Sequence, residues 1–359
     1  MKNGARSVSR QLFHRCGGIQ AVRWLNRKGV TILTYHKFPA DRQTLENQCE
    51  YLRKHYQVVS VSRLSELLRS GDPLPKWAVV ITVDDGHRGF YEHGHPVFAK
   101  FGFPVTVNLT TGPIDNRGWL WFDRVAYSFV TSRREGVELP NPSLDGGASF
   151  RSDESTADPT VLGNREQRLG VAEQYMERMK VFPSKSFSAC LNQLEQALGV
   201  QVPDEPPEEW AMLNWEQVRL MAGDGVEFGA HSVNHPILTQ LEVEQEVYEE
   251  IVRSKKRIEA ELDKPVLHFA YPNGQPQDIS PTIVKIVSEV GYQTAVTTTQ
   301  GQVFRGDDPF LLRRISAEAE SPLQRFQMSV AAFRAPQAMR PMSLPSAKKN
   351  TPNGSRSQQ

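Results

Sequence analysis

Four polar side chains that can bind a metal or move a proton stand in two short segments of the sequence. Asp84 and Asp85 are adjacent carboxylates that follow the apolar run Ala78–Val83, and a glycine comes after them. His231 and His235 follow a second apolar run and would share one face of a helical turn. Two histidines and one carboxylate, with coordination positions left over, make a catalytic site for zinc or another divalent ion. Taken alone, each segment is also explained by an ordinary capped turn.

These side chains can meet only if the elements before them belong to one sheet. Short β-rich runs alternate with helical patterns along the chain: Thr31–Tyr35, Val58–Val61, Ala78–Val83, Pro104–Leu109, Val226–Ala230, Val266–Ala270 and Thr294–Thr297. The alternation predicts βαβ units, and the apolar character of the runs suits buried parallel strands. Because the carboxyl ends of barrel strands share one face, the two segments are expected to lie together there.

The clearest helix boundaries lie in the second half of the chain. Thr239 and Glu242 have capping-box spacing and predict a helix that begins there. Ser280 followed by Pro281 predicts another helix start, and Gly291 is expected to end that helix. Residues 163–198 also have a helical pattern, which we expect to stop at glycine 199.

Composition and charge exclude several classes of protein. The chain has 359 residues and a net charge of +1, which gives no basis for a nucleic-acid or polybasic membrane surface. No stretch approaches about 18 consecutive apolar residues, so no membrane span is expected. The cysteines Cys16, Cys49 and Cys190 lie far apart and include no CxxC pair, which supports neither a disulfide framework nor a cysteine-based zinc site but leaves one disulfide open.

The expected organisation has three parts. Residues 1–29 predict a short helical N-terminal arm, residues 30–333 one catalytic domain, and residues 334–359 a disordered tail rich in Pro, Ser and Lys. Within the domain, residues of about 124–213 are interpreted as an insertion between barrel strands. A third site segment, Tyr271–Gly274, also follows a strand-like run, and its Pro-Asn-Gly loop could present backbone N–H groups to a ligand or form a simple turn.

The order of these segments resembles a known family. Thr-Val-Asp-Asp-Gly, then His-Ser-x-x-His, then Tyr-Pro-Asn-Gly is similar to the NodB-homology polysaccharide deacetylases, carbohydrate esterase family 4, over residues of about 30–315. The resemblance implies a distorted (β/α)7 barrel. It also implies an enzyme that uses a divalent metal, with zinc as the first candidate, to remove N-acetyl groups from acetylated amino sugars. It implies Asp84 as general base, Asp85, His231 and His235 as metal ligands, and an oxyanion-binding N–H at Asn273.

The chain departs from the family pattern at two positions. The family has an arginine two residues before the motif proline, where this chain has Ala270, and no histidine follows Gly274. A circularly permuted branch of the family places the equivalent histidine in an N-terminal Tyr-His pair. Tyr35 and His36 are similar to that pair, so His36 is the candidate general acid.

Several further residues are interpreted as parts of the same site. Arg313 or Arg314 is expected to replace the missing arginine, where it would lower the pKa of Asp84, although both could be ordinary exposed arginines. Candidate substrate contacts are Tyr271, Pro272, Gly274 and Trp121, of which the tryptophan could equally belong to a core. His87 adjoins the site and is given no catalytic role.

Other functions stay open at this point. The chain could be a deacylase of a small non-sugar amide, since related barrels hydrolyse such amides. It could also be a carbohydrate-binding protein with a dead site, which the two departures from the family pattern favour. A non-haem iron oxygenase shares the ligand set but gives no reason for the neighbouring Asp84. The expected partner is an acetylated amino-sugar polymer or oligomer. The N-terminal segment shows no secretory signal, which predicts a cytoplasmic protein, whereas the resemblance favours a site of action outside the cytoplasm.

Overall fold

The strands of the computed structural model form one large parallel sheet and one small hairpin. The structure describes residues 17–140, 160–182 and 184–333. Its strands are β1 (Thr31–Tyr35), β2 (Gln57–Val58), β3 (Ala78–Val83), β4 (Val105–Leu109), β5 (Gly136–Val137), β6 (Thr160–Val161), β7 (Glu227–Ala230), β8 (His268–Ala270), β9 (Thr294–Gln300) and β10 (Leu312–Ser316). The strands β5 and β6 form the small hairpin, and they pair antiparallel.

The large sheet closes into a barrel. Its strand order is β1-β10-β9-β8-β7-β4-β3, and β3 returns to pair with β1, while β2 lies outside β3. Leu33 of β1 is in register with Ile315 on one side and with Ile81 on the other, and all these pairs are parallel. The register shifts between Leu312 and Arg314, which makes the barrel irregular. The predicted (β/α)7 barrel is therefore confirmed.

Helices connect the strands and cover the barrel. They are α1 (Gly18–Leu25), α2 (Gln43–His55), α3 (Val61–Ser70), α4 (His95–Lys100), α5 (Thr111–Asn116), α6 (Trp121–Thr131), α7 (Arg165–Met179), α8 (Phe187–Leu198), α9 (Trp215–Gly223), α10 (Glu244–Leu262), α11 (Pro281–Glu289) and α12 (Leu323–Val330). No helix in the described ranges is long and apolar enough to cross a membrane.

Strand residues are buried on both faces, as a barrel requires. In β1, Ile32 and Leu33 are both fully buried but belong to different apolar clusters, because successive side chains point to opposite faces. The cluster of Leu33 includes Leu52 of α2 and Phe98 of α4, so it lies between strands and helices. This double burial explains why the strands have long apolar runs rather than alternating ones.

One predicted strand needs correction, and one strand was missed. Val58–Val61 is mostly wrong, because β2 ends at Val58 and Val61 begins α3, where the Ser60 hydroxyl accepts a hydrogen bond from the N–H of Arg63. The strand Leu312–Ser316 was not predicted. Its apolar run is interrupted by two arginines, and Arg314 is buried through an ion pair rather than through apolar packing.

The predicted helix boundaries are partly confirmed. Ser280 accepts a hydrogen bond from the Ile283 N–H and caps α11, as expected, and Gly291 after the helix has a positive φ of 91°. The capping box at Thr239 is wrong, because Leu238–Gln240 forms a separate short turn and α10 begins only at Glu244.

Part of the chain between β4 and β7 packs around an apolar cluster of its own. That cluster joins α6, α7 and α8 through residues such as Phe129, Tyr175 and Leu194. The single helix predicted over 163–198 is two helices, and Gly199 ends the second in the left-handed conformation with φ 64°. The expected disordered tail, most of the N-terminal arm and residues 141–159 lie outside the described residues. The boundaries of the insertion and of the domain stay a prediction.

Candidate active site

Three predicted metal ligands lie together at the carboxyl end of the barrel strands. Ligand atoms of Asp85, His231 and His235 all lie within 4.8 Å of one another. The Asp85 Oδ1 is 3.6 Å from the His231 Nε2 and 3.7 Å from the His235 Nε2, and all three residues are buried. One carboxylate oxygen therefore faces two imidazole nitrogens across a space of the size that a divalent ion occupies.

The loop after β7 brings its two histidines together without a helical turn. Ser232 and His235 have positive φ values of 66° and 56°, and the Ser232 hydroxyl accepts a hydrogen bond of 3.0 Å from the His235 N–H. The premise that the histidines share a helical face is therefore wrong. Asp85 is also left-handed, with φ 75°, so the carboxylate too is held by an unusual backbone conformation.

The hydrogen bonds of the histidines suit metal binding. His231 Nδ1 lies 2.7 Å from the carbonyl oxygen of Ala270. Because a carbonyl oxygen can only accept a hydrogen bond, Nδ1 carries the hydrogen, and the electron pair of Nε2 is left for a metal. Burial and the neighbouring His231 lower the pKa of His235 to about 4, which keeps its imidazole neutral near pH 7. Two imidazoles and a carboxylate form a donor set that fits zinc or another divalent ion.

Asp84 has a different set of partners from its neighbour Asp85. The Arg314 guanidinium contacts both carboxylate oxygens of Asp84, with Nη2 2.6 Å from Oδ2 and Nη1 2.9 Å from Oδ1. The side-chain amide of Asn108 donates a second hydrogen bond of 2.8 Å to Oδ1. Burial alone would raise the pKa of Asp84, but the Arg314 cation outweighs it and holds the pKa well below its usual range.

Arg314 is the arginine that the structure pairs with Asp84; that it replaces the missing motif residue stays a prediction. It is 1% exposed, its Nε donates to the carbonyl of Thr297, and its Nη1 donates to the Thr34 hydroxyl. Arg313 is also buried, so neither residue is an ordinary surface arginine, and the exposed-arginine alternative is wrong. Arg314 lies on β10, two strands away from the strand that precedes the predicted loop.

His36 lies directly after β1 and is exposed at the mouth of the barrel. Burial raises the pKa of Asp84, and His36 is close enough to help lower that pKa, with a smaller effect than those of Arg314 and His231. The structure thus brings His36 to the same side as the metal cluster. Its role as general acid stays a prediction.

Two side chains of the Tyr271–Gly274 loop make hydrogen bonds within the fold. Tyr271 is buried, and its hydroxyl donates to the carbonyl of Phe310, away from the site. Asn273 has a left-handed backbone with φ 57°, and its amide donates to the Asp278 carboxylate at 2.5 Å. Gly274 also has a positive φ, and a Cβ there would lie 2.8 Å from the Tyr271 carbonyl oxygen.

An aromatic residue that contacts the metal cluster was not predicted. Trp121 packs against Phe187 in the apolar cluster of the insertion, with ring centres 4.8 Å apart. Its neighbour Phe122 stands edge-on to the His235 ring, with centres 5.1 Å apart. No feature of the sequence separates these two adjacent aromatics. Asn108 was missed as well, although an amide inside the predicted strand Pro104–Leu109 is an unusual residue that could have drawn notice.

Fold and site together define a closed parallel barrel with an Asp-His-His cluster and a neighbouring ion-paired aspartate at its carboxyl edge. Residues 206–295 match the family model described as polysaccharide deacetylase. A segment of 90 residues is 43% identical to the poly-beta-1,6-N-acetyl-D-glucosamine N-deacetylase of Escherichia coli K12. It covers 24% of this chain and only 13% of that relative. The predicted resemblance to the polysaccharide deacetylases is thereby confirmed.

Solved structures agree on the fold. The chain resembles IcaB from Ammonifex degensii with a TM-score of 0.54 and 18% identity, over 85% of this chain and 97% of that one. It resembles the Streptococcus pyogenes deacetylase PplD, solved in complex with acetate, with a TM-score of 0.52 and 17% identity over 84% and 98% of the two chains. The family match contains His231 and His235, whereas Asp84, Asp85 and Arg314 lie outside it.

Proposed function

We propose that the protein is a metal-dependent hydrolase that removes N-acetyl groups from acetylated amino sugars of a polysaccharide or oligosaccharide. The observation that carries this proposal is that two adjacent carboxylates have different partners. Asp85 faces the two histidines, while Asp84 is held by Arg314 and Asn108. A carboxylate that binds the metal cannot also accept a proton freely, so this reaction needs both.

Asp85, His231 and His235 would hold a divalent ion, which would lower the pKa of a bound water and polarise the acetyl carbonyl. Asp84 then acts as the general base, because its low pKa keeps it ionised and its oxygens are oriented by Arg314. An oxygenase site needs no such base beside its ligands, and the ion pair therefore favours hydrolysis over that alternative.

The two remaining roles concern the leaving group and the developing negative charge. His36 donates a proton to the departing amine, since an amine anion is a poor leaving group. The backbone N–H of Asn273 donates to the oxyanion, and its left-handed conformation and its bond to Asp278 fix the loop that carries it. The products are acetate and a free amino sugar.

The substrate class rests on the E. coli relative, which acts on poly-beta-1,6-N-acetyl-D-glucosamine. Its shared segment is 90 residues long, so the linkage of the sugar polymer in this case is part of the proposal. The identity of the metal and a site of action outside the cytoplasm belong to the proposal as well.

The test is acetate release from β-1,6-linked N-acetylglucosamine oligomers by the zinc-loaded protein. Chitin oligomers and a small amide such as acetanilide serve as competing substrates. We expect acetate and a free amine from the sugar oligomers, and loss of both after chelation with recovery on addition of zinc. Turnover of the small amide alone, or bound sugar without acetate release, would contradict the proposal.

A further inference from the structure

A second buried polar cluster touches the site from the side of the insertion. Its centre is Asp123, which lies in the first turn of α6. Asp123 is 2% exposed. One of its oxygens lies 2.7 Å from the Lys37 Nζ, and the other lies 2.6 Å from the His87 Nε2. Both partners belong to loops that the proposed reaction uses, yet the mechanism above gives none of the three residues a role.

His87 links this cluster to a metal ligand. Its Nε2 faces the Asp123 carboxylate, which can only accept, so that nitrogen carries a hydrogen. On the other edge of the ring, Nδ1 is buried, lies 3.8 Å from the Asp85 Oδ2 and has no hydrogen-bond partner among the described residues. Asp85 thus presents Oδ1 to the two ligand histidines and Oδ2 to His87.

Lys37 links the cluster to the candidate acid. It follows His36 directly, and its side chain is 47% exposed at the mouth of the site. Its ammonium group ion-pairs with buried Asp123 and also lies 4.0 Å from the centre of the Trp210 ring. These contacts draw the side chain inward and fix the short loop that carries His36.

We propose that Asp123 is a positioning residue that orients the metal ligand Asp85 through His87 and the acid His36 through Lys37. A buried carboxylate with two charged or hydrogen-bonding partners has one favoured arrangement, and partners of metal ligands tune metal affinity. Burial would raise the pKa of Asp123, but His87 and Lys37 lower it to about 2, so the carboxylate is ionised throughout the working range. This inference rests on the proposed function for the roles of Asp85 and His36.

The competing explanation is that Asp123 only fastens the insertion to the barrel. In that case a substitution would lower stability but would change neither metal affinity nor turnover of the folded fraction. The positioning role instead predicts two separate effects. A substitution at His87 should change zinc affinity, because His87 lies beside the metal ligand Asp85. A substitution at Lys37 should change kcat, because Lys37 adjoins the candidate acid His36.

The experiment compares His87→Phe, Lys37→Met and Asp123→Asn with the matched controls His93→Phe and Lys100→Met. Zinc dissociation constants are measured by chelator competition without substrate, and kcat and KM are measured at saturating zinc. We expect His87→Phe to weaken zinc binding by about 10–100-fold. Lys37→Met should leave zinc binding within about twofold and lower kcat by roughly 10–100-fold, since a small misplacement of a reacting group costs that much.

Asp123→Asn should show both effects, and the double variant Asp123→Asn, His87→Phe should bind zinc no more weakly than the weaker of the two single variants. Zinc binding and kcat both equal to those of the controls would overturn the proposal. If Asp123→Asn does not fold, the single variants His87→Phe and Lys37→Met decide the question. If the wild-type protein binds zinc but releases no acetate, the proposed function fails, while the zinc measurements still test the role of His87.

Discussion

Replacing Arg314 by methionine should destabilise the protein far more than the loss of a surface ion pair. The side chains of Asp84 and Arg314 are 2% and 1% exposed, and two short contacts of 2.6 and 2.9 Å join them. Removing one partner of a buried pair costs about 3–5 kcal/mol, because the other charge is left uncompensated, whereas an exposed pair contributes about 0–1 kcal/mol. In a barrel of this size each kcal/mol lowers Tm by about 2 °C, so the expected drop is about 6–10 °C.

The double variant separates this cause from a simple loss of packing. Arg314→Met leaves a buried carboxylate and Asp84→Asn leaves a buried guanidinium, so each single variant should be strongly destabilised. Arg314→Met combined with Asp84→Asn leaves neither charge, and we expect it to be more stable than Arg314→Met alone. The free energy of unfolding is measured by urea titration at fixed metal content, with tryptophan fluorescence as the signal.

The pH dependence has a definite sign. In the wild type the pKa of Asp84 is lowered, so its contribution to stability is present above the ordinary pKa of about 4 and is lost as the pH falls. Without Arg314, burial raises that pKa, and stability should instead be lost as the pH rises through it. The destabilisation by Arg314→Met should therefore be larger at pH 8 than at pH 5. A loss below 1 kcal/mol, additive single effects, or no trend with pH would refute the reasoning.

Three further outcomes test the candidate site. Alanine at any of Asp85, His231 and His235 should abolish stoichiometric zinc in elemental analysis, and full zinc content in all three variants would remove the ligand assignment. Asp84→Asn should keep its zinc but release acetate about 10²–10⁴-fold more slowly, and near-normal turnover would exclude it as the base. His36→Ala should lower kcat strongly with little change in zinc affinity, since it is not a ligand; unchanged kcat would require another acid.

The parts of the site that follow strands could be predicted from the sequence. Asp84 and Asp85 come after β3, and His231 and His235 come after β7, so the rule that strand ends converge was enough to bring them together. It was not enough for the local path of the chain. The left-handed residue Ser232 joins the histidines where a helical turn was expected, and no residue-type signal predicts a positive φ at a serine.

Residues that act from inside strands were harder to find. Arg314 belongs to a strand that the apolar pattern did not show, because its own charge interrupts that pattern. The sequence does not distinguish Arg313 from Arg314. Side chains alternate along β10, and the pairing of β10 with β1 and β9 decides which of the two faces Asp84. His87 and Asp123 were missed as a pair because 36 residues separate them.

The supporting residues form a polar layer within the barrel, below the metal cluster. Asn108 on β4 and Arg314 on β10 reach Asp84 from opposite sides, and each needs room among apolar neighbours. Gly229 provides that room for Asn108: the two residues are in register on β4 and β7, and a Cβ at 229 would overlap the Asn108 side-chain oxygen. A glycine that weakens a strand interior is therefore explained by the orientation of Asp84, the proposed base, two strands away. The chemistry of this site depends on strand register as much as on the residues that line its mouth.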